Sequence, residues 1–307
     1  MKNSGQKRRK NNAVICAAAV VSVLAFVITF AGNRLSPVWD QIYAVFGLKS
    51  SAPKDADFVE FLDVGQGDSI LIYSNGYSAI IDTGTSECGA RITSALNDAG
   101  VRDIDVLMET HLHSDHIGGA EYVLNLFDVK NLILPDLNLN SEGLPAAKVA
   151  KRMVVDSSGA VYTAAPGMNM NIGDFEITVI AYYEDMSNEN DSSIVTVAKI
   201  GDIKFLLMGD AEKAAESRIL ADNINVECDV IKVGHHGSNT SSSEEFLNAA
   251  KPEYAVISVG ENNTYSHPSK ETLSALEKIG AETYRTDKSG NITFEVKNGN
   301  LKITTEK

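Results

Sequence analysis

The chain has 307 residues, 44% of them hydrophobic and 22% charged, which is enough apolar content for a large folded core and excludes a disordered or low-complexity chain. Its formal net charge is −14 at pH 7. Seven of the 27 basic residues and one of the 41 acidic residues fall in the first 50 positions, leaving 20 basic against 40 acidic beyond them. That balance excludes a broad basic face of the kind that tracks a polyanion along its length.

At the N-terminus, Lys7-Arg8-Arg9-Lys10 precedes an uncharged apolar run from Ala13 to Ala31. As a helix this run would extend roughly 28 Å, close to the thickness of a bilayer's hydrocarbon core. A basic cluster ahead of such a run holds that end in the cytoplasm and places the remainder of the chain outside. The expected organisation is a basic cytoplasmic N-terminus (1–12), a transmembrane signal-anchor (13–31), a linker (32–56) and a catalytic domain (57–307) at the outer side of the cell membrane. Thr29-Phe30-Ala31 would suit a signal-peptide cleavage site and make the product secreted, but the length of the run favours an uncleaved anchor. Within the linker, Trp39 to Leu48 is apolar enough for a short helix near the membrane surface.

From Asp57 onward short strands dominate. Strands are predicted at Phe58–Val64, Asp68–Ser74 and Tyr77–Asp82, split by Gly65-Gln66-Gly67 and by the hairpin pair Asn75-Gly76. A helix over Ala90–Ala99 stops at Gly100, and an apolar strand over Ile104–Glu109 leads to a polar loop followed by a helix over Gly118–Leu126. Further on, strands are predicted at Phe175–Ala181, Ile194–Ile200, Lys204–Met208, Val230–Val233 and Tyr254–Val259. Helices are predicted at Ala211–Ala221, Ser242–Ala250 and Ser269–Lys278, and a closing hairpin at Asn291–Val296 and Leu301–Thr305. Two strand-rich halves, each followed by helices, predict an α/β fold of paired sheets with helices on both outer faces. Such a sandwich lines up its strand-end loops along one edge. Outside the apolar run only Cys88 and Cys228 remain, which leaves room for one disulfide and no cysteine metal site.

The chemistry concentrates in His111-Leu112-His113-Ser114-Asp115-His116, an H-x-H-x-D-H run holding three of the six histidines. Imidazole nitrogens and carboxylate oxygens are ligands for zinc and similar divalent ions. In an extended segment His111 and His113 point the same way, while Asp115 and His116 follow on a turn and can face a second ion roughly 3.5–4 Å away. Other strand ends carry compatible groups. Asp82-Thr83-Gly84 offers a carboxylate that orients the histidine loop, or a simple Asp-Gly turn. Asp210, after Leu206-Leu207-Met208-Gly209, can bridge two cations or cap the helix beginning at Ala211. Of His235 and His236, one should complete the second ion's ligands and the other contact substrate or donate a proton; the sequence leans slightly to His235 as ligand. Ser242 and Glu245 have capping-box spacing, and that hydroxyl-rich helix start either holds a phosphate oxygen or is an ordinary cap. His267, in Tyr265-Ser266-His267-Pro268, is read as catalytic because every other histidine is already assigned to the site.

The H-x-H-x-D-H loop, Asp82-Thr83-Gly84, Gly209-Asp210 and the Gly-His-His-Gly turn together resemble the metallo-β-lactamase superfamily of hydrolases. Phe61 to Asp68, Asn190 to Val195, Lys232 to Ser238 and Tyr265 to Pro268 resemble, more narrowly, the extracellular hydrolase domain of ComEC-type DNA-uptake competence proteins. The resemblance covers about residues 57–297. It implies a metallo-β-lactamase-like αββα sandwich, a one- or two-metal site and hydrolysis, on a phosphodiester above other bonds. The chain departs from the pattern in two respects. ComEC proteins carry a multi-helix channel, whereas this chain has one apolar span. Many superfamily members also have a first-metal histidine between the H-x-H-x-D-H loop and the bridging aspartate; here Asn190 or Asp191 falls in that region.

The expected assignment places one ion on His111 and His113, and the other on Asp115, His116 and either His235 or His236, with Asp210 bridging. Asp115, His236 and His267 are the expected catalytic residues, His267 or the spare histidine of the pair protonating the leaving group. Two Zn2+ ions are the expected cofactors, with Mn2+ the alternative. The expected partners are a phosphodiester, either nucleic acid or a cell-envelope polymer such as a phosphocholine-bearing teichoic acid, and the membrane through the N-terminal segment. The domain's acidity argues against long nucleic acid. Lactone or β-lactam hydrolysis is the competing chemistry, and a non-enzymatic metal-stabilised binding module is disfavoured by the completeness of the ligand set.

Overall fold

Two β-sheets stacked face to face, each with helices on its outer side, account for the chain from Asp57 onward; the computed structural model describes residues 56–307 apart from 138–140. The expected anchor, linker and membrane-surface helix lie outside the described residues, and among the described residues no helix is long and apolar enough to cross a membrane.

The first half supplies β1 (Asp57–Phe61), β2 (Ile70–Ser74), β3 (Tyr77–Ile81), α1 (Gly89–Asp98), β4 (Asp103–Met108), α2 (Ser114–Ile117), α3 (Ala120–Leu124), β5 (Asp128–Leu134), α4 (Leu144–Asp156) and β6 (Ala160–Thr163). The second supplies β7 (Asn169–Ile172), β8 (Phe175–Ala181), β9 (Val195–Ile200), β10 (Ile203–Leu207), α5 (Lys213–Ala221), β11 (Val230–Lys232), α6 (Glu244–Ala250), β12 (Tyr254–Ile257), α7 (Lys270–Ile279), β13 (Glu282–Arg285) and α8 (Thr286–Ser289). The chain closes with β14 (Ile292–Lys297) and β15 (Asn300–Thr305). One sheet runs β15-β14-β1-β2-β3-β4-β5-β6 and the other β13-β12-β11-β10-β9-β8-β7. The C-terminal hairpin therefore returns to the first sheet, β14 pairing antiparallel with β1 from Asp57↔Val296 to Phe61↔Ile292.

Side-chain alternation divides the apolar residues among three layers. In β2, Ile70 and Ile72 point between the sheets while Leu71 and Tyr73 face the helices outside. In β10, Phe205 and Leu207 enter the inter-sheet core and Leu206 the outer one. Strands buried on both faces read as continuous apolar runs, which is why these segments are recognisable without polar alternation. Aromatic rings tie the sheets together: Phe205 meets Phe294 of the facing sheet edge-on at 6.0 Å, and Phe175 of its own sheet packs beside it at 6.3 Å.

Between 127 and 174 the structure contains β5, α4, β6 and β7, none of which the sequence pattern predicts. β6 and β7 are outer strands with a single neighbour each, short, and with Ile172 the one fully buried residue of the two. The inward stripe of α4 is Ala147, Ala150 and Val154, too small to mark an amphipathic helix. The helix expected over Gly118–Leu126 is the shorter α3, and a separate helical turn, α2, precedes it inside the histidine loop. The one disulfide that the cysteine count allowed is not formed: Cys88 and Cys228 are free and pack in opposite outer layers, with both sheets between them.

Phe205 is fully buried, so Phe205→Ala should cost about 3–5 kcal/mol of stability through lost transfer energy and a cavity. Tyr162→Ala, on an edge strand and 47% exposed, should change it by less than about 0.5 kcal/mol. Urea unfolding measures both, and a mild Phe205 effect would contradict a rigid inter-sheet core.

Candidate metal centre

Strands β3, β4, β5 and β6 are mutually parallel, as are β10, β11, β12 and β13, and the loops at their carboxyl ends meet on one edge of the sandwich. From β3 comes Asp82, buried and held at φ +63°. Its Oδ1 accepts the Thr110 backbone N–H at 2.6 Å; its Oδ2 accepts the Thr110 hydroxyl at 2.8 Å and lies 2.8 Å from His116 Nδ1. This pins the start of the histidine loop, places the His116 proton on Nδ1 and leaves Nε2 free as a ligand atom. The same turn holds the loop's far side, since Thr83 N donates to His116 O at 2.6 Å and Gly119 N to Gly84 O at 3.1 Å. A side chain at Gly119 would put Cβ 2.2 Å from Thr83 O, so only glycine permits that approach.

From β10 comes Asp210, and the imidazoles gather around it. His116 Nε2 lies 3.3 Å from Asp210 Oδ1, while His236 Nε2 and His111 Nε2 lie 3.5 and 4.0 Å from Oδ2. His236 Nε2 is also 3.3 Å from Asp115 Oδ2. Two overlapping sets, His111–His116–Asp210 and Asp115–His116–His236, each bring their ligand atoms within 4.8 Å of one another. His113 stands beside the first set, its Nδ1 3.1 Å from His111 Nε2. Two imidazole nitrogens on one tetrahedral zinc would be about 3.3 Å apart given Zn–N bonds of about 2.05 Å.

The residues fit a divalent cation. His116 Nε2, Asp210 Oδ1 and His236 Nε2 are buried and lack hydrogen-bond partners, a state that costs about 1–3 kcal/mol per group unless something satisfies it. A donor set of imidazole and carboxylate suits zinc or manganese. Without a metal the cluster balances its own charge. Burial pushes Asp210 upward, yet His236 and His116 outweigh it and hold the carboxyl well below the usual range. Burial likewise opposes charge on His236, but Asp210, Asp115 and Asp68 raise it to about 10. His116 is raised by Asp210 and Asp82 against its burial, whereas burial and the neighbouring His116 drive His111 down.

β11 delivers His235 and His236, both in the left-handed region at φ +46° and +51°. For non-glycine residues such backbone costs roughly 1–3 kcal/mol each and persists only where surroundings enforce it. The twist separates the neighbours. His236 turns inward to the set with Asp115 and His116, and its Nδ1 lies 3.0 Å from Ser258 O. His235 stays at the rim, its Nδ1 2.7 Å from Glu212 Oε1 and its Nε2 3.9 Å from Asp210 Oδ2. The sequence leaned to His235, whereas the structure brings His236 into the set with Asp115 and His116 and leaves His235 at the rim. His267 is half-buried at the same rim, its ring 5.5 Å from that of His235. Burial and His235 lower its pKa, so it is neutral near pH 7.

Two further expectations resolve differently. Asp191 accepts N–H groups from Glu212 and Ala215, both at 3.0 Å, and so caps α5; it belongs to none of the imidazole–carboxylate clusters. Asn190 directs its Nδ2 toward His235 and Glu212 and leaves its Oδ1 buried and unpartnered. The start of α6 is closed to a phosphate, because the buried Glu216 carboxylate takes the N–H groups of Ser242 and Ser243.

Of the carboxylates behind the imidazoles, the sequence pointed to Asp82 and missed Asp68 and Glu109. Asp68 sits 3.3 Å from His236 Nδ1 and 2.8 Å from Lys232 Nζ, all three groups buried. The available signal was Lys232 itself, a lone lysine inside the apolar strand β11. Glu109, fully buried, accepts the Thr83 hydroxyl at 3.0 Å, and burial beside Asp82 keeps its carboxyl protonated well above the ordinary range.

Residues 62–261 match the metallo-beta-lactamase superfamily, and the chain belongs to that family. Its sequence is 33% identical over 260 residues to ComE operon protein 3 of Bacillus subtilis, covering 78% of this chain and 33% of that protein. It is 32% identical over 254 residues to competence protein ComA of Neisseria gonorrhoeae, covering 82% of this chain and 34% of that one. The chain thus spans about a third of the length of these relatives. Among solved structures, the metallo-beta-lactamase fold protein YhfI of Bacillus subtilis superposes with a TM-score of 0.54 at 11% identity, over 78% of this chain and all of that one, which supports the fold.

The His236 shift has a measurable consequence. Its pKa rises from the ordinary 6.5 to about 10 on folding of the metal-free protein, so protonated His236 adds stability that is full below pH 6.5 and disappears as pH climbs through 10. In metal-depleted protein, the unfolding free energy of wild type relative to His236→Gln should therefore fall between pH 7 and 10. A difference that stays flat or grows over that range would rule out an imidazolium at this position.

Proposed function

We propose that this chain is a metal-dependent phosphodiesterase, tethered to the cell membrane by its N-terminal segment with the catalytic domain outside. The observation that carries the catalytic part is the convergence of three buried, unpartnered ligand atoms, on His116, Asp210 and His236, beside a rim open to solvent. In this reading His111, His113 and Asp210 hold one ion, and Asp115, His116, His236 and Asp210 hold the other. Such an ion pair supplies Lewis acidity and a water of lowered pKa, and suits in-line displacement at phosphorus. The chain's own residues do the rest. Asp82 and Asp68 fix the tautomer and direction of His116 and His236, and Asp115 joins the two ligand sets to the turn of α2. His235 and His267, at the rim, are placed to exchange protons with a substrate group. The motifs shared with competence proteins favour a phosphodiester over a lactone or β-lactam.

Asp210→Ala should lower hydrolysis of bis-p-nitrophenyl phosphate by at least about a thousandfold, since ion stabilisation of this kind is worth several kcal/mol. Chelation should do the same to wild type, with recovery on adding zinc or manganese. The same preparations are assayed on single- and double-stranded DNA and a chromogenic β-lactam. Turnover of the lactam without any phosphodiester would overturn the substrate class, and near wild-type turnover by Asp210→Ala the metal assignment. For the tether, protease added to intact cells should remove the catalytic domain; full protection would place it inside.

A further inference from the structure

The loop after β12 displays an aromatic ring that the fold does not use. Tyr265 is 66% exposed, more than any other large hydrophobic side chain among the described residues. The other exposed tyrosines sit at the β2–β3 hairpin (Tyr77), on the outer helix α3 (Tyr122) and on the edge strand β6 (Tyr162). Tyr265 instead stands against His267, at the outer rim of the metal centre. Its ring stacks on His267 at 5.7 Å and 25°; His267 meets His235 at 5.5 Å; and His235 Nε2 is 3.9 Å from Asp210. A short file of rings thus runs from solvent to the shared carboxylate.

The loop carrying Tyr265 is braced from within. Asn263 Nδ2 donates to Gly260 O at 3.0 Å and His267 O at 2.7 Å, while its Oδ1 accepts the backbone N–H of Tyr265 at 3.1 Å and of His267 at 3.0 Å. Gly260 N donates in turn to Gln66 Oε1 at 3.2 Å, tying this loop to the one after β1. One amide side chain therefore anchors both ends of the Tyr265–His267 segment. An exposed aromatic on a pre-ordered support loses little freedom on binding, which is how a recognition surface differs from a frayed loop.

We propose that Tyr265, seated on His267, is a stacking platform for a nucleobase of a single-stranded nucleic acid held with its phosphodiester at the metal centre. This deepens the phosphodiesterase reading and rests on it. Stacking is the recognition mode open to this domain. With 20 basic against 40 acidic residues beyond position 50, it cannot hold a strand by neutralising many phosphates, whereas every base offers a face to an aromatic ring whatever its sequence. In a duplex those faces are covered by neighbouring bases, so the platform selects unpaired strands.

The test uses the full chain in mild detergent, loaded with manganese, and three substrates: a short single-stranded oligonucleotide, the same oligonucleotide with abasic residues flanking the cleaved bond, and the corresponding duplex. Tyr265→Ala should raise KM for the intact single strand by about tenfold or more, the scale of one lost base–aromatic stack, while kcat changes little. It should leave the abasic strand unaffected, and Tyr265→Trp should restore wild-type KM. A 2-aminopurine placed next to the cleaved bond should be quenched on mixing with wild type, before cleavage, and not with Tyr265→Ala. If wild type cleaves the oligonucleotide and Tyr265→Ala matches it in KM and quenching, the platform is wrong and the phosphodiesterase reading stands. An equal rise in KM on the abasic strand would show a role for Tyr265 in loop structure and also refute the platform. If wild type cleaves no phosphodiester with any metal, both readings fall together.

Discussion

The arrangement depends on one buried carboxylate. Asp210 is 2% exposed and has imidazoles on several sides, a position no carboxylate could hold in a protein interior without compensating charge. That compensation comes from both sheets. His111 and His116 descend from β4, in the sheet that does not contain Asp210. His236 comes from the adjacent strand β11 of its own sheet. Neither sheet alone has a stable place for these groups, so the inter-sheet core fixes the site's dimensions as much as it fixes the fold's stability.

Behind the ligands lies a second tier of charge that settles which atom each imidazole presents. Asp82 binds the outer nitrogen of His116, and Asp68 with Ser258 O flanks that of His236. Asp68 is itself held ionised against its burial by Lys232 and His236. A carboxylate–lysine pair with almost no exposure adds little net stability, because desolvation cancels most of the attraction. Its value is directional: removing either member would strand the other charge beside the centre and let His236 turn. The left-handed backbone at His235 and His236 belongs to the same logic, since local strain is accepted where it aims two adjacent side chains at different tasks.

Much of this is legible in the amino-acid sequence. The H-x-H-x-D-H run, the acid after an apolar strand at Asp210 and the paired histidines announce a metal site, because ligand chemistry is carried by residue type and strand ends by apolar runs. The choice between His235 and His236 is not legible, because it turns on a φ sign that these residue types do not advertise. Asp68 stays hidden in a glycine-rich turn, where an acid is commonplace, and Glu109 reads as the last residue of a strand. The edge strands β6 and β7 escape for the opposite reason: they bury too little to leave a pattern.

Inner and outer parts of the site obey different physics. Inside, charge is dense, desolvated and balanced to within a few groups, so it responds to metal and protons far more than to the shape of a substrate. At the rim, His267 is neutral near pH 7 and Tyr265 presents an exposed ring, while the surrounding domain is strongly acidic. With 20 basic against 40 acidic residues beyond position 50, a long polyanion would meet net repulsion over most of the domain, which disfavours cation-driven capture along its length. Attraction confined to one phosphate and the base beside it escapes that penalty, because stacking is short-ranged and nearly indifferent to the far field of the protein. The acidity that argues against a nucleic acid gripped along its backbone is therefore compatible with a strand engaged one nucleotide at a time.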